Sequence, residues 1–413
     1  MTPGGIASAL ARLSIDDLDR AEVSGRRALV RVDFNVPLEG TGASRRVASD
    51  MRIRAALPTV RWLVEREATV VLASHLGRPK GPDPELTMAP VAARLRELLG
   101  LPVEYLADAF GAEAEERTRA VRGGVIVLEN LRFDPGEKAN DPEFARRLAA
   151  LGDLFVEDAF GACHRAHAST VGVTRHLSPC AAGKLVGSEL AAFRRLLEEP
   201  RRPFVAVLGG AKIAGKLETV RGLIERCDAV CLGGGMANTF LLARGGEVGD
   251  SLVEPDLVDE ARTLLVEDGE ALELQEDVVV ARELREGAEW RAVPADEVEP
   301  GWRILDAGPR TVAAYGQRVA EAGTVFWNGP LGVFETPPFD AGTRGFAELL
   351  AAATRAGVFT VAGGGDSIAA LEQAGRIGDV SHASTGGGAA LELVSGAALP
   401  GIEVLDPPRG IAS

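Results

Sequence analysis

The chain has 413 residues, 46% of them hydrophobic, and a formal net charge of -15, a length too great for one ordinary core and suited to about two domains. That acidity excludes nucleic acid and an anionic membrane surface as partners, because both call for a basic face, so any anionic ligand must be held by a local cluster of cations. No run approaches about 20 uninterrupted apolar residues and no basic start precedes an apolar stretch, so neither membrane spanning nor export is expected, and four cysteines without a CxxC pair predict reduced thiols in a cytoplasmic enzyme.

Taken in chain order, short apolar runs alternate with helical patterns. Strands are expected at 28–36, 69–74, 125–129 and 154–157, each nearly continuous in buried-type residues. Helices are expected at 49–66, with Ile53, Leu57, Val60 and Val64 on one face and a kink at Pro58, then at 87–99 and 141–151. A helix within 187–203, ending at Glu198-Glu199-Pro200, reads as a connector. The scheme then restarts with strands at 204–208, 229–232, 278–281, 324–327 and 358–362. The expected fold class is α/β: two Rossmann-like domains, each a mostly parallel sheet flanked by helices, joined by an interdomain helix and hinge. The boundaries fall at 1–186, 187–203, 204–395 and a tail at 396–413, whose Pro407-Pro408 suits an extended segment packing back on the first domain.

In open α/β sheets, ligands bind beyond the carboxyl ends of the strands. In the first half those positions carry Asp33 and Asn35, then Ser74-His75-Leu76-Gly77-Arg78, Glu129-Asn130-Leu131-Arg132, and Asp158 through His167. His75, Arg78, Arg132, Arg165 and His167, with Arg52 from the first helix, converge on one sheet edge and suit a phosphate and a carboxylate. Forty arginines make any single one ordinary surface charge, but several at successive strand ends need a compensating anion. Cys163, His164 and His167 together lack the four ligands of a zinc site.

In the second half, glycine clusters at 209–210, 233–235, 363–365 and 386–388 each precede a helical pattern. One such cluster is more often a tight turn; several in one half favour a polyphosphate ligand held by backbone N–H groups. Asp366 at the head of a helix either caps it or holds the Mg²⁺ of a nucleotide. Only five lysines occur, and Lys212 and Lys216 stand four apart, by chance or for a reason. The segment from Gly210 to Lys216 meets part of a P-loop pattern, but Leu217 occupies the position of the Mg²⁺-ligating Ser or Thr, which argues against it.

The segments Arg31 to Pro37, Ser74 to Pro79, Leu128 to Phe133, Asp158 to His167, Leu208 to Lys216, Trp327 to Glu335, Gly363 to Ser367 and Ser381 to Gly388, in this order, resemble the phosphoglycerate kinase family. The resemblance spans nearly the whole chain. It implies reversible phosphoryl transfer from 1,3-bisphosphoglycerate to ADP, giving 3-phosphoglycerate and ATP, in a cytoplasmic monomer whose only partners are these small molecules. By position, the glycerate ligand falls to Asp33, Asn35, Arg52, His75, Leu76, Gly77, Arg78, Arg132 and Arg165 of an N-terminal 3-phosphoglycerate-binding domain. The nucleotide falls to Lys216, Asn328, Glu335, Gly364, Gly365, Asp366 and Ser367 of a C-terminal domain, with Asp366 on the Mg²⁺ that accompanies ADP/ATP. Arg52 and Lys212 would be catalytic.

Two positions depart from the family pattern. Ile304 stands where a glycine usually precedes Leu305-Asp306-Ala307-Gly308-Pro309 beside the nucleotide base, and Gly215 replaces a polar or charged residue between the two lysines. Phosphoryl transfer needs in-line placement and cations where charge spreads, and a carboxylate acceptor is already ionised, so no nucleophile or general base is expected. Closure about the connector would exclude water. A dinucleotide-dependent oxidoreductase, which would need a clean G-x-G-x-x-G after the first strand, and a nucleotide-binding regulator without turnover are the rival readings.

Overall fold

The computed structural model describes residues 10–108 and 110–409. Residues 1–9 of the expected first domain and 410–413 of the expected tail lie outside the described residues. The chain forms two compact units, one built of the residues up to Arg194 together with those from Ala398 onward, the other of Arg195–Ala397.

The first unit holds a six-stranded, all-parallel sheet of β1 (Arg27–Val32), β2 (Thr69–Ala73), β3 (Val103–Leu106), β4 (Val125–Leu128), β5 (Leu154–Asp158) and β6 (Cys180–Ala182), in the order β3-β4-β2-β1-β5-β6. Its central strands are buried along their whole length, which is why they read as apolar runs rather than alternating ones. Helix α1 (Met51–Val64) buries Ile53, Ala56, Val60 and Leu63 at three- to four-residue spacing. Helix α2 (Ala89–Leu99) buries Val91, Ala92, Leu95 and Leu99 and stops at the left-handed Gly100. Helices α3 (Ala112–Ala120) and α4 (Pro142–Ala149) follow, the latter capped by Asp141, whose Oδ1 accepts from the Phe144 amide at 2.8 Å.

The sequence pattern carries β1 four residues too far. The strand ends at Val32 because Asp33 Oδ1 accepts from the Asn35 amide at 3.2 Å and turns the chain out of the sheet. The edge strands β3 and β6 are absent from the expected list; both are short, and Glu104, Ala181 and Ala182 give them no β-rich signature. Helix α5 (Lys184–Leu197) starts three residues earlier than expected. Asp158 Oδ1 accepts from the Leu185 and Val186 amides at 2.9 and 3.3 Å, and Thr59 Oγ1 from that of Lys184 at 2.9 Å, so the helix start is fixed by partners remote in sequence. The boundary between the units falls within this helix.

The two larger sheets of the second unit are built from β7 (Phe204–Leu208), β8 (Ala229–Leu232), β9 (Leu272–Glu273), β10 (Asp277–Ala281), β11 (Trp290–Pro294), β12 (Arg303–Ala307), β13 (Thr324–Asn328), β14 (Phe359–Gly363) and β15 (His382–Ser384). Six of them form a parallel sheet in the order β9-β8-β7-β13-β14-β15. The expectation that residues 278–281 extend this sheet is corrected. β10 belongs to a separate antiparallel sheet, β11-β10-β12, with a bulge between Val279 and Val280. Its buried apolar run looks the same in sequence because Val278 and Val280 pack into their own small core with Leu241, Val298 and Trp302.

Helices α6 (Leu217–Ile224), α7 (Gly234–Ala243), α8 (Val258–Asp268), α9 (Pro309–Glu321), α10 (Ala341–Arg355), α11 (Gly365–Gln373) and α12 (Gly388–Val394) connect these strands. The main core gathers on Trp327, which packs edge-on against Phe346 with ring centroids 5.2 Å apart. In each unit the strand order reverses beside its first strand, between β1 and β5 and between β7 and β13. Those two places are where an open α/β sheet leaves a crevice.

Candidate active site

In the first unit the crevice is organised by two buried polar residues, Arg31 and Asn130, to which the sequence assigns no role. Arg31, 1% exposed, lies inside β1 and donates from Nε to Ser169 Oγ at 2.9 Å, while one of its terminal nitrogens lies 3.0 Å from His75 Nδ1. A guanidinium has no acceptor, so His75 Nδ1 accepts and the proton of its neutral ring sits on Nε2. Ser169 passes the chain on, donating from Oγ to Glu137 Oε1 at 2.7 Å and from its amide to Oε2 at 3.0 Å. A charge in the middle of the apolar run from Ala28 to Val32 was the available signal for Arg31.

Asn130 does the same for the loop after β2. Its Oδ1 accepts from the Leu76 and Arg132 amides at 3.1 Å each, and its Nδ2 donates to the Leu76 and Leu86 carbonyls at 2.8 and 2.9 Å. Asn35 Oδ1 accepts from the Gly77 amide at 2.8 Å, and Arg132 donates to the Gly77 carbonyl at 2.6 Å. Asp33, Asn35, His75, Leu76, Gly77 and Arg132 are thus tied into one polar cluster, and Arg52 enters it through an ion pair with Asp33. Arg78 and Arg165 are exposed and form no ion pair among the described residues, and Arg132 has no carboxylate partner there either.

This cluster holds more positive charge than it neutralises. Burial, then Arg31 and Arg78, lower the Arg132 pKa, which Glu137 and Asp33 only partly oppose. His75 is driven well below its usual 6.5, first by burial and then by Arg31, Arg132, Arg52 and His167. Burial, then Arg31, Arg132, Arg165 and His164, bring His167 down to about 4. Its Nδ1 stands 3.8 Å from Glu137 Oε1, beyond hydrogen-bond distance from a carboxylate already taken up by Ser169, so the cations prevail.

A lowered histidine pKa means that, as pH falls below about 6.5, the unfolded chain takes up protons the folded one does not, so stability declines toward acid pH. In ligand-free protein, NMR titration of the ring protons should find His167 near 4 and His75 well below 6.5, both rising when 3-phosphoglycerate is added. Unperturbed midpoints near 6.5 would contradict the cation cluster.

The second crevice gathers the loop 209–216 after β7, residues 328–335 after β13, and the start of α11 after β14. Gly209 and Gly210 donate from their amides to the Asn328 and Pro330 carbonyls at 2.9 Å each, which pins the two strand ends together. A methyl group on Gly210 would stand 3.4 Å from Lys216 Nζ, so that ammonium lies over the turn. Burial lowers the Lys216 pKa and the charge of Asp366 opposes the shift. Ser367, fully buried, accepts from the Gly329 amide at 2.6 Å. Asn328 is 7% exposed, and its Nδ2 lacks a partner and would lie 3.1 Å from a Cβ placed on Gly364. This unpaired donor is aimed at the turn that opens α11.

The side chains of Lys212, Glu335 and Asp366 are exposed and make no hydrogen bond or ion pair among the described residues. Asp366 does not cap its own helix; Gly364 occupies the cap position without a side-chain bond. No group of three or more His, Cys, Asp or Glu among the described residues could hold a metal ion. A lone hard carboxylate fits a divalent ion whose remaining ligands are phosphate oxygens and water, the usual habit of Mg²⁺.

The glycine clusters differ in what surrounds them. A Cβ on Gly235 would lie 2.5 Å from the Ala211 carbonyl oxygen, so the 233–235 run lets α7 approach the 210–211 turn. Gly365, by contrast, has open space beside it. Of the two departures, Gly215 adopts φ +72°, a left-handed conformation that glycine accommodates without strain. Ile304 is 8% exposed in β12, packed among Val280, Val298 and Trp302, while its amide donates to Ser251 Oγ at 2.8 Å. No helix among the described residues is long and apolar enough to cross a membrane.

Comparison with known proteins places nearly the whole chain beside one family. The sequence model of the family described as phosphoglycerate kinase matches residues 15–397. Phosphoglycerate kinase of Herpetosiphon aurantiacus is 53% identical over 388 residues, covering 93% of this chain and 97% of that protein, and that of Synechococcus elongatus is 48% identical over 402 residues, covering 96% and 99%. Among solved structures, phosphoglycerate kinase from Coxiella burnetii superposes with a TM-score of 0.81 at 39% identity, covering 95% of this chain and 98% of that one. The enzyme from Pyrococcus horikoshii OT3 gives 0.83 at 32% identity, with the same coverage.

Proposed function

We propose, because the chain belongs to the phosphoglycerate kinase family and so catalyses reversible phosphoryl transfer between 1,3-bisphosphoglycerate and ADP, that its two crevices divide the reaction between them. The glycerate ligand takes the first unit and the nucleotide the second. The observation that carries this division is the cation cluster of Arg78, Arg132 and Arg165 without carboxylate partners around a neutral His75, which only an anion can balance.

In the first unit, Arg132, Arg78 and Arg165 bind the phosphate that is not transferred, the neutral His75 donates from Nε2, and Asp33 and Asn35 orient the glycerate. Arg52, partly turned to Asp33, swings its remaining donors toward the acyl phosphate. In the second unit, Lys216 and the Asn328 amide hold nucleotide phosphates over the open start of α11 at Gly364, Gly365 and Ser367, and Glu335 contacts the ribose side. Asp366 would hold the Mg²⁺ that accompanies ADP or ATP and supplies charge neutralisation on the phosphate tail. Lys212, with no partner of its own, accompanies the phosphoryl group, and the carboxylate acceptor needs no base. Transfer requires the two ligands to meet with water excluded, so the reaction proceeds on closure about the 187–203 connector. The protein acts as a cytoplasmic monomer.

A coupled assay of ATP-dependent 3-phosphoglycerate consumption tests the first half of this division. Arg132→Ala should raise the KM for 3-phosphoglycerate about tenfold or more with a smaller change in kcat, because its charge holds a remote phosphate equally in ground and transition states. An unchanged KM in a folded variant would remove Arg132 from the pocket. Loss of NADH without added coupling enzyme would favour the oxidoreductase reading instead.

A further inference from the structure

The loop that carries both lysines is held partly from outside: within it the Lys216 amide donates to the Ile213 carbonyl at 2.8 Å, and the next two grips come from a residue elsewhere in the chain. Between Lys212 and Lys216 the Ile213 and Ala214 amides both donate to one carboxylate oxygen, Oε2 of Glu254, at 2.5 and 3.0 Å. Glu254 lies about forty residues further along the chain, just before the short 3-10 turn Pro255–Leu257, and its own amide donates to Oγ1 of Thr239 at 3.2 Å. Thr239 is 1% exposed within α7, so the backbone of Glu254 is anchored on a buried helix position. Ile213, between the two lysines, is itself fully buried. The side chain of Lys212 is left exposed with no partner of its own.

We propose that Glu254 is a positioning residue for the transfer step, a carboxylate that grips two successive amides and so fixes the direction in which Lys212 leaves the loop. It touches neither ligand; it acts through Lys212, and the inference therefore rests on the role given to Lys212 above. The chemistry is that of a carboxylate accepting two backbone N–H bonds, which are charge-assisted and directional. Misplacing a catalytic cation by about 1 Å can cost on the order of 100-fold in rate. The glutamate escaped the sequence reading because it follows no strand of the parallel sheet.

A double-mutant cycle tests this, with the coupled assay and hydrogen exchange of the Ile213 and Ala214 amides read in the same proteins. Glu254→Ala should lower kcat about tenfold or more, leave the KM for 3-phosphoglycerate unchanged, and abolish protection of both amides. Glu254→Gln, whose amide oxygen can still accept both bonds, should recover most of the rate, whereas Glu254→Asp, one methylene shorter, should not. In a Lys212→Ala background, Glu254→Ala should cost little further, because the group it positions is gone. Full additivity of the two losses, or a Gln variant as slow as the Ala variant, would overturn the proposal. So would a normal rate in Glu254→Ala. A normal rate in Lys212→Ala alone would instead sink the role assigned to that lysine, while the exchange data would still report on the Glu254 grip. If Glu254→Ala does not fold, the Gln and Asp pair decides the question.

Discussion

Replacing Lys212 by alanine is expected to lower turnover by about 10²- to 10³-fold while changing MgADP affinity far less. The expectation follows from two facts about the side chain. It is exposed, with no hydrogen bond or carboxylate among the described residues, so nothing in the fold depends on it. It also rises from a loop pinned at Ile213 and Ala214 and closed by Lys216 at the cap position of α6, so its origin is fixed while its ammonium can move. An ammonium in that situation is most useful where charge spreads over the transferred phosphoryl group, since no ground-state ligand has to be given up. Steady-state kinetics of the purified variant, with its unfolding midpoint measured alongside, check this. Turnover within a few-fold of the parent, at normal stability, would require another residue to accompany the phosphoryl group.

Gly209→Ala is expected to be the most damaging single methyl addition near the nucleotide crevice. A Cβ there would stand 2.0 Å from the Pro330 carbonyl oxygen and 2.7 Å from that of Gly329, both backbone atoms, so no side chain can move aside. Relief requires the ends of β7 and β13 to separate, which breaks the bonds from Gly209 to Asn328 and from Gly210 to Pro330. The cost should reach about 3 kcal/mol, or a fall of about 6–12 °C in the unfolding midpoint of a unit this size. Because the same turn leads into Lys212, kcat should fall as well. Gly378→Ala, where nothing lies within 4 Å and φ is ordinary, is the control and should leave the midpoint within about 1 °C. An unaltered midpoint for Gly209→Ala would show that the strand ends are looser than their contacts imply.

The architecture was largely legible because parallel strands buried on both faces leave long apolar runs, and those runs alternate with helical spacing. What escaped the pattern has particular causes. β3 and β6 are edge strands of three or four residues with little β-branched content. β10 carries the same kind of buried run as its neighbours, so its membership of an antiparallel sheet depends on its pairing with β11 and β12, which the run itself does not encode. The start of α5 is set by Asp158 and Thr59, each far away in the chain.

The candidate site divides in the same way. Residues that follow strands, such as His75, Arg132, Lys216 and Asp366, could be picked out by position, because the carboxyl edge of a parallel sheet is where ligands go. The roles of the residues that orient them could not. Arg31 acts through His75, Asn130 through four backbone groups of the neighbouring loops, and Glu254 through two amides forty residues away, so their roles exist only once the chain has folded. The glycine runs differ in their surroundings: the stretch 233–235 packs against the 210–211 turn, whereas the start of α11 is open.

The division of ligands between the two units is tested most directly by equilibrium calorimetry of 3-phosphoglycerate and of MgADP, each titrated separately into Arg132→Ala and Lys216→Ala. The account predicts a crossed pattern, with Arg132→Ala weakening 3-phosphoglycerate by at least about tenfold and leaving MgADP near its parental affinity, and Lys216→Ala doing the reverse. Equal loss of both ligands in either folded variant, or an exchange of the two effects, would contradict it.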